Sequence, residues 1–229
     1  MTISFRVASY NIHRCYGRDG RYDPSRIKQV LLQTGADVIG LQEVELLHEV
    51  PDLLDYFCDN TQWHMIPGMT LRNLSGHYGN ALLTSYPVIE QHNIDLSQRN
   101  REPRGAIQAK LDVNGSTIEV VTTHLGLSPV ERRAQVVQLL EHIQNKPLAE
   151  TQILLGDINE WFMWGRPLRW LHRYFGRSST SASFPAGFPL FALDRIWVSP
   201  HQRIKSFGVL KNQLTRVASD HMPVIAEII

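Results

Sequence analysis

Cysteine is nearly absent: Cys15 and Cys58 are the only two in 229 residues. That excludes a disulfide scaffold, and the pair reads as free thiols of a protein working in the reducing cytoplasm. No apolar run approaches the roughly 18–20 residues that a membrane-crossing helix needs, and Met1 to Ser9 already read as a strand, with nothing that signals secretion. Charge of one sign is missing too. Lys and Arg number 23 against 22 Asp and Glu, a formal net charge of +1, which offers no global attraction for a nucleic-acid backbone. No low-complexity stretch or linker divides the chain, so residues 1–229 are expected to form one domain, with 43% hydrophobic residues enough for one sizeable core.

The familiar signatures of several enzyme classes are also missing. There is no Gly-x-Ser-x-Gly elbow, no P-loop, no dinucleotide glycine fingerprint, and neither a Cys-x-x-Cys pair nor a His-Glu-x-x-His helix. Serine hydrolases, kinases and zincins are thereby set aside. What is present is a set of polar clusters, each ending or leading into a short apolar run: Asn11 and His13 after Phe5–Ala8, Gln42-Glu43 after Val38–Leu41, His124 after Ile118–Val121, Asp157 and Asn159 after Ile153–Leu155, and Ser219-Asp220-His221 before a terminal strand. Residues at the ends of buried strands are held rigidly yet stay reachable, so these clusters point to one convergent site. Its donors are mostly hard oxygens, Glu43, Asp157, Asp194, Asp220, Asn11 and Asn159, with His124 and His221 among them. Such donors favour Mg²⁺, Mn²⁺ or Ca²⁺ over zinc, with Mg²⁺ expected and Mn²⁺ as its substitute, and the chemistry they suit is metal-assisted phosphoester hydrolysis.

Between the clusters, strands alternate with a few helices. Asp23-Pro24-Ser25 is a helix start, residues 26–32 have helical spacing, and Gly35 ends the helix before the Val38 strand. Gly79–Thr84, Ala106–Leu111 and the run from Ile118 read as meander strands, the last two joined by an Asn114-Gly115 turn. Pro129 opens a second helix that stops before Pro147 and feeds the Ile153 strand. Two sheets packed face to face with helices outside account for this pattern.

In their order these blocks resemble the endonuclease/exonuclease/phosphatase superfamily: Ser9-Tyr10-Asn11, Leu41-Gln42-Glu43, Thr123-His124, Gly156-Asp157-Ile158-Asn159, Leu193-Asp194-Arg195-Ile196 and Ser219-Asp220-His221. Taken one at a time, a cap or a satisfied core group explains each Asp or His; six in order are another matter. The resemblance implies an α/β fold, a four-layer α/β/β/α sandwich of two mixed, largely antiparallel sheets, with the site at one end. It implies Glu43 as principal metal ligand with Asn11 nearby and Asp220 in reach, His221 paired with Asp194, Asp157 and Asn159 orienting or deprotonating water, and His124 stabilising phosphoryl charge. Arg104 resembles the family's Arg-Gly block and is a candidate phosphate fork. A protonated His221 makes Asp157 the proton acceptor, and a neutral one reverses the assignment; Asp157 is the preferred base. His13 stands where abasic endonucleases carry an acid, a departure that resembles the sphingomyelinase-like branches and moves substrate weight away from DNA.

Other stretches are candidates for the surroundings. His77 and Tyr78 are read as bordering the cleft, with a turn as the structural account. Trp161–Phe175 alternates aromatics with Arg and His; it reads either as an aromatic lip able to contact a base or a lipid surface, or as a helix from about Pro167 that packs Leu168, Leu171 and Phe175 on the sheet, the latter preferred. The proline-broken loop 183–191 is a candidate pocket wall. Arg99, Arg101, Arg104, Arg132 and Arg133 form a candidate phosphate track, with a solvated face as the ordinary account of the last two. His48, His64, His92, His142, His172 and His201 are taken as surface or structural. The expected activity is therefore a Mg²⁺-dependent phosphodiesterase or phosphatase on a small or lipid-derived phosphoester, acting as a monomer with peripheral membrane contact allowed. A DNA or RNA nuclease and a catalytically silent binding protein are the alternatives.

Overall fold

Strand composition is strongest where the chain is most apolar, and these runs form the centres of two sheets. The structure, a computed structural model, describes residues 4–47, 53–73, 76–144 and 149–229; His48 and Pro147 lie outside them. One sheet has six strands in the order β10 (Ile204–Val209), β11 (Val224–Ile228), β1 (Phe5–Asn11), β2 (Val38–Leu47), β4 (Gly76–Thr84) and β3 (His64–Asn73). The other has five: β5 (Val88–Asp95), β6 (Gly105–Val113), β7 (Ser116–His124), β8 (Thr151–Asp157) and β9 (Asp194–Ser199). Only β1–β2 and β7–β8 pair in parallel. Each parallel pair is joined by a crossover helix, α1 (Pro24–Thr34) or α3 (Pro129–Gln144).

The layers follow from side-chain alternation along the strands. Val7, Val38, Leu82, Ile107, Val120, Ile153 and Ile196 turn inward and form the core between the sheets. Ala8, Ile39, Leu41 and Leu83 turn the other way, onto α1 and α2 (Leu53–Cys58). Val121, Leu154 and Trp197 on the far face meet α3 and α4 (Arg166–Phe175). This is the expected four-layer α/β/β/α sandwich. Asp23 caps α1 by accepting from the amides of Ser25 and Arg26, and Gly35 closes it at φ 58°. No disulfide joins the two cysteines, Cys15 lying within the core and Cys58 half-buried.

Two expectations change. The Val38 run does not end at Leu41: β2 continues to Leu47, and the register against β4 shifts between Leu41 and Val44, so Glu43 stands in a bulge at φ 57°. Trp161–Phe175 divides into an exposed lead and the expected packed helix. Leu168, Leu171 and Phe175 of α4 are buried on the sheet, while Trp161, Phe162, Met163 and Trp164 before it are exposed.

Candidate active site

The sheets approach closely where the polar clusters emerge. Gly40 permits this, since a Cβ there would lie 2.1 Å from Leu155 Cδ1 across the interface. Gln42 then bridges the layers, donating to Thr122 Oγ1 at 3.3 Å. Asn11 ends β1, while His124 and Asp157 end β7 and β8 and are register partners, as are Asp157 and Asp194 at the start of β9. Ser219 Oγ donates to the Asn11 carbonyl at 2.8 Å and so ties the Asp220-His221 turn to β1. One end of the sandwich thus receives side chains from both sheets.

Asp157 is the meeting point. Its Oδ2 accepts from Asn11 Nδ2 at 3.1 Å and lies 3.5 Å from His124 Nε2 and 3.6 Å from His221 Nε2; its Oδ1 accepts the Asn159 amide at 2.9 Å. Asn11 Nδ2 also donates to Glu43 Oε1 at 3.1 Å, and its Oδ1 is taken by the His13 amide at 3.0 Å. The amide therefore braces the two carboxylates by its NH₂ end. Asn159, at φ 52°, donates to the Leu125 carbonyl at 2.8 Å and stands 3.0 Å from His124 Nε2.

The two histidines beside Asp157 are held in opposite charge states. Burial drives His124 down to about 3, with Asp157 opposing and Arg104 assisting, so its ring is neutral. Arg104 Nη1 donates to its Nδ1 at 3.0 Å, which leaves the proton on Nε2. Burial would lower His221 as well, but Asp194 and Asp157 outweigh it and push the ring up to about 10. Its Nδ1 donates to Asp194 Oδ2 at 2.8 Å, and the same oxygen accepts Ser183 Oγ at 2.5 Å.

Glu43 is held above the usual carboxylate range, first by burial and then by Asp220 and Asp157, against the Asn11 hydrogen bond and His13. Carboxylates crowded in this way with hard oxygen donors fit a divalent cation. Asp157, Asp194 and His221 also offer ligand atoms within 4.8 Å of one another. There, Asp194 Oδ2 already accepts from two donors and His221 is a cation, while Asp194 Oδ1 is buried without a hydrogen-bond partner among the described residues.

The remaining expected residues divide. Arg104 is buried against His124, with Nη2 3.5 Å from Glu102 Oε2. His13 is half-exposed, its Nδ1 donating to the Tyr16 carbonyl at 3.1 Å and 3.9 Å from Asp220 Oδ1. Tyr78 is buried and its hydroxyl is pushed up by burial and then by Glu43, while Arg14 lies 4.9 Å above its ring. His77 is half-buried one residue further from the site along β4, opposite Leu46 and Arg72. Arg132 is not on a solvated face. It is buried, with Nε 3.3 Å from Glu160 Oε2 and Nη1 donating to the Gly126 and Leu127 carbonyls; Arg99 and Arg101 are exposed. Ser183 is a site neighbour that spacing does not reveal, because a loop of ten residues before Asp194 brings it in. The His92, His142 and His172 side chains meet Glu90, Gln108 and Ser178, and His64 and His201 are exposed.

A cavity of about 320 Å³ adjoins Arg104 and is lined by Thr70, Asn93, Asp95 and Ser97 among others. On the other side the His221 ring lies tilted against Phe184 at 4.7 Å, and Phe184 meets Trp161 at 5.6 Å. A further cavity, about 460 Å³, lies between α3 and α4 and holds none of these residues. Among the described residues no helix is long and apolar enough to cross a membrane.

Comparison with known proteins agrees with this fold. An uncharacterized protein of Escherichia coli strain K12, YbhP, is 32% identical, with 99% of this chain and 96% of that protein covered. A Bacteroides vulgatus endonuclease/exonuclease/phosphatase shares the fold at TM-score 0.80 and 18% identity over 100% of this chain and 99% of its own. A Bacteroides thetaiotaomicron mannosyl-6-phosphatase does so at TM-score 0.76 and 17% identity, covering 98% and 99%. Members of the family are hydrolases of phosphoester bonds and generally depend on a divalent metal. With residues 8–221 matched by the Endonuclease/Exonuclease/phosphatase family, the chain belongs to that family.

Proposed function

We propose that the protein is a divalent-metal-dependent phosphodiesterase acting on a small or lipid-derived phosphoester. The observation that carries this reading is the charge arrangement at Asp157, a carboxylate 3.6 Å from a histidine that Asp194 keeps protonated. A histidine protonated to about 10 is no proton acceptor at neutral pH. Asp157 is then the group that takes the proton of the attacking water. The His221 cation, the neutral His124 Nε2–H and the Asn159 NH₂ hold charge as it develops on the phosphoryl oxygens. A bound Mg²⁺ or Mn²⁺, held by Glu43 with Asp220, supplies further charge neutralisation at the phosphate. Arg104 fixes the His124 tautomer as a positioning residue.

The surroundings support a diester. A phosphate at Asp157 has the polar cavity beyond Arg104 on one side and the Phe184–Trp161 wall on the other, room for two unlike substituents. A nuclease is less well supported: the net charge is +1, and Arg132 of the candidate phosphate track is spent on Glu160. The test is hydrolysis of bis-p-nitrophenyl phosphate and p-nitrophenyl phosphate with Mg²⁺, Mn²⁺ or EDTA. Turnover of the diester that EDTA abolishes and His221→Ala lowers by about 10²–10⁴ is expected. Turnover of the monoester alone would replace the reading with a phosphatase, and metal-independent turnover would refute it.

A further inference from the structure

The three loops leaving the site end of β7, β8 and β9 carry apolar side chains into solvent. Trp164 is 74% exposed, Phe188 72%, Leu127 67% and Leu190 62%, with Phe162 and Met163 beside them. The loops that carry them are tied to one another. Arg132 joins the Leu127 carbonyl to Glu160, on which Gly165 packs. Trp161 meets Phe191 of the third loop edge to face at 4.8 Å, and a cavity of about 180 Å³ is lined by Met163 and Leu190 among others. Through Phe184 the same wall reaches the His221 ring. Large apolar groups are seldom left in water side by side unless something covers them.

Charge identifies what covers them. From residue 161 to residue 193 the chain has no Asp or Glu and four arginines, Arg166, Arg169, Arg173 and Arg177, all exposed. Tips bearing Trp, Phe, Met and Leu flanked by cations match an anionic lipid surface, where the rings enter the interface and the guanidinium groups meet headgroup phosphates. A flat protein partner would not need apolar groups standing on loop tips. We propose that this rim docks the enzyme on anionic membranes and sets the site facing the headgroups, so that its substrate is a phosphoester at the lipid surface. The docking stands on the rim alone; only its substrate side rests on the phosphodiesterase reading.

The test is flotation with vesicles of phosphatidylcholine containing about 30% phosphatidylglycerol, against phosphatidylcholine alone. The native chain should float with the anionic vesicles and release at high salt. Trp164→Ser combined with Phe188→Ser, and separately Arg166→Gln combined with Arg169→Gln, should each weaken that partition by about tenfold or more. Because these side chains are exposed, thermal unfolding should be unchanged. Native protein that hydrolyses the soluble diester but does not float overturns the docking and leaves the phosphodiesterase standing. Flotation without any phosphoester turnover supports the docking and sinks the phosphodiesterase. Equal flotation of native and variant chains, or a native dimer that Trp164→Ser with Phe188→Ser dissociates in sedimentation, overturns the docking in favour of another surface or a second copy.

Discussion

At neutral pH the two histidines nearest Asp157 differ in charge, His124 neutral and His221 a cation. The difference lies in their other ring nitrogen: Arg104 presses on His124 Nδ1, whereas Asp194 accepts from His221 Nδ1. Asp194→Asn removes the charge that holds the His221 proton. The ring's pKa then falls from about 10, the alkaline limb of kcat/KM moves to lower pH, and turnover drops by about 10–100-fold while metal affinity is kept. An alkaline limb that stays in place would remove His221 from the account. The same raised pKa has a stability consequence. Unfolded histidine loses its proton near 6.5, so the His221 contribution is fully present below about 6.5 and is lost as pH rises through about 10. The cluster of Asp157, Asp194 and His221 was legible because these residues stand in short marked blocks. Ser183 was not, for its contact with Asp194 depends on how a loop folds back.

A bulge in β2 delivers Glu43 to the site. At φ 57° this residue occupies a region that costs a non-glycine about 1–3 kcal/mol, and the surrounding ladder with β4 holds it there. Glu43→Ala should relieve that strain no better than any other residue would, yet raise the Mg²⁺ concentration for half-maximal turnover by about tenfold or more. Unchanged metal affinity would refute the ligand role. Three residues earlier, Gly40→Ala should force the sheets apart at Leu155 and Thr122 and cost about 1–3 kcal/mol, seen as a melting point lowered by roughly 3–10 °C. Nothing in the Leu41-Gln42-Glu43 spacing marks a bulge, which is why β2 looked shorter than it is. Two edge strands were hidden for other reasons: β3 carries Pro67 and Gly68 within it, and β5 is largely exposed and polar. Central strands and the capped helices α1 and α3 were readable because burial on both faces enforces continuous apolar runs and the caps are local.

Three cores separate four layers, and the site lies where the middle core ends. That architecture followed from alternation and from the order of the polar blocks, both visible in one dimension. What joins the loops above the site is not local. Arg132 and Glu160 meet across 28 residues, fully buried, and no charge pattern in the chain distinguishes Arg132 from a surface arginine on a helix. Arg132→Met strands the Glu160 carboxylate and should cost about 3–5 kcal/mol by urea unfolding; adding Glu160→Met should recover much of it. A single variant as stable as the native chain would show that the pair does not anchor the rim.

The whole reading turns on Asp157 as the proton acceptor, and the most direct check is kcat for bis-p-nitrophenyl phosphate in Asp157→Asn at saturating Mg²⁺, with metal binding measured on the same sample. The asparagine keeps the shape and can still face Asn159, His124 and His221, so a fall of about 10²–10⁴ in kcat with the metal still bound is expected. Turnover within about threefold of the native enzyme would contradict the assignment and pass the role of base to another group.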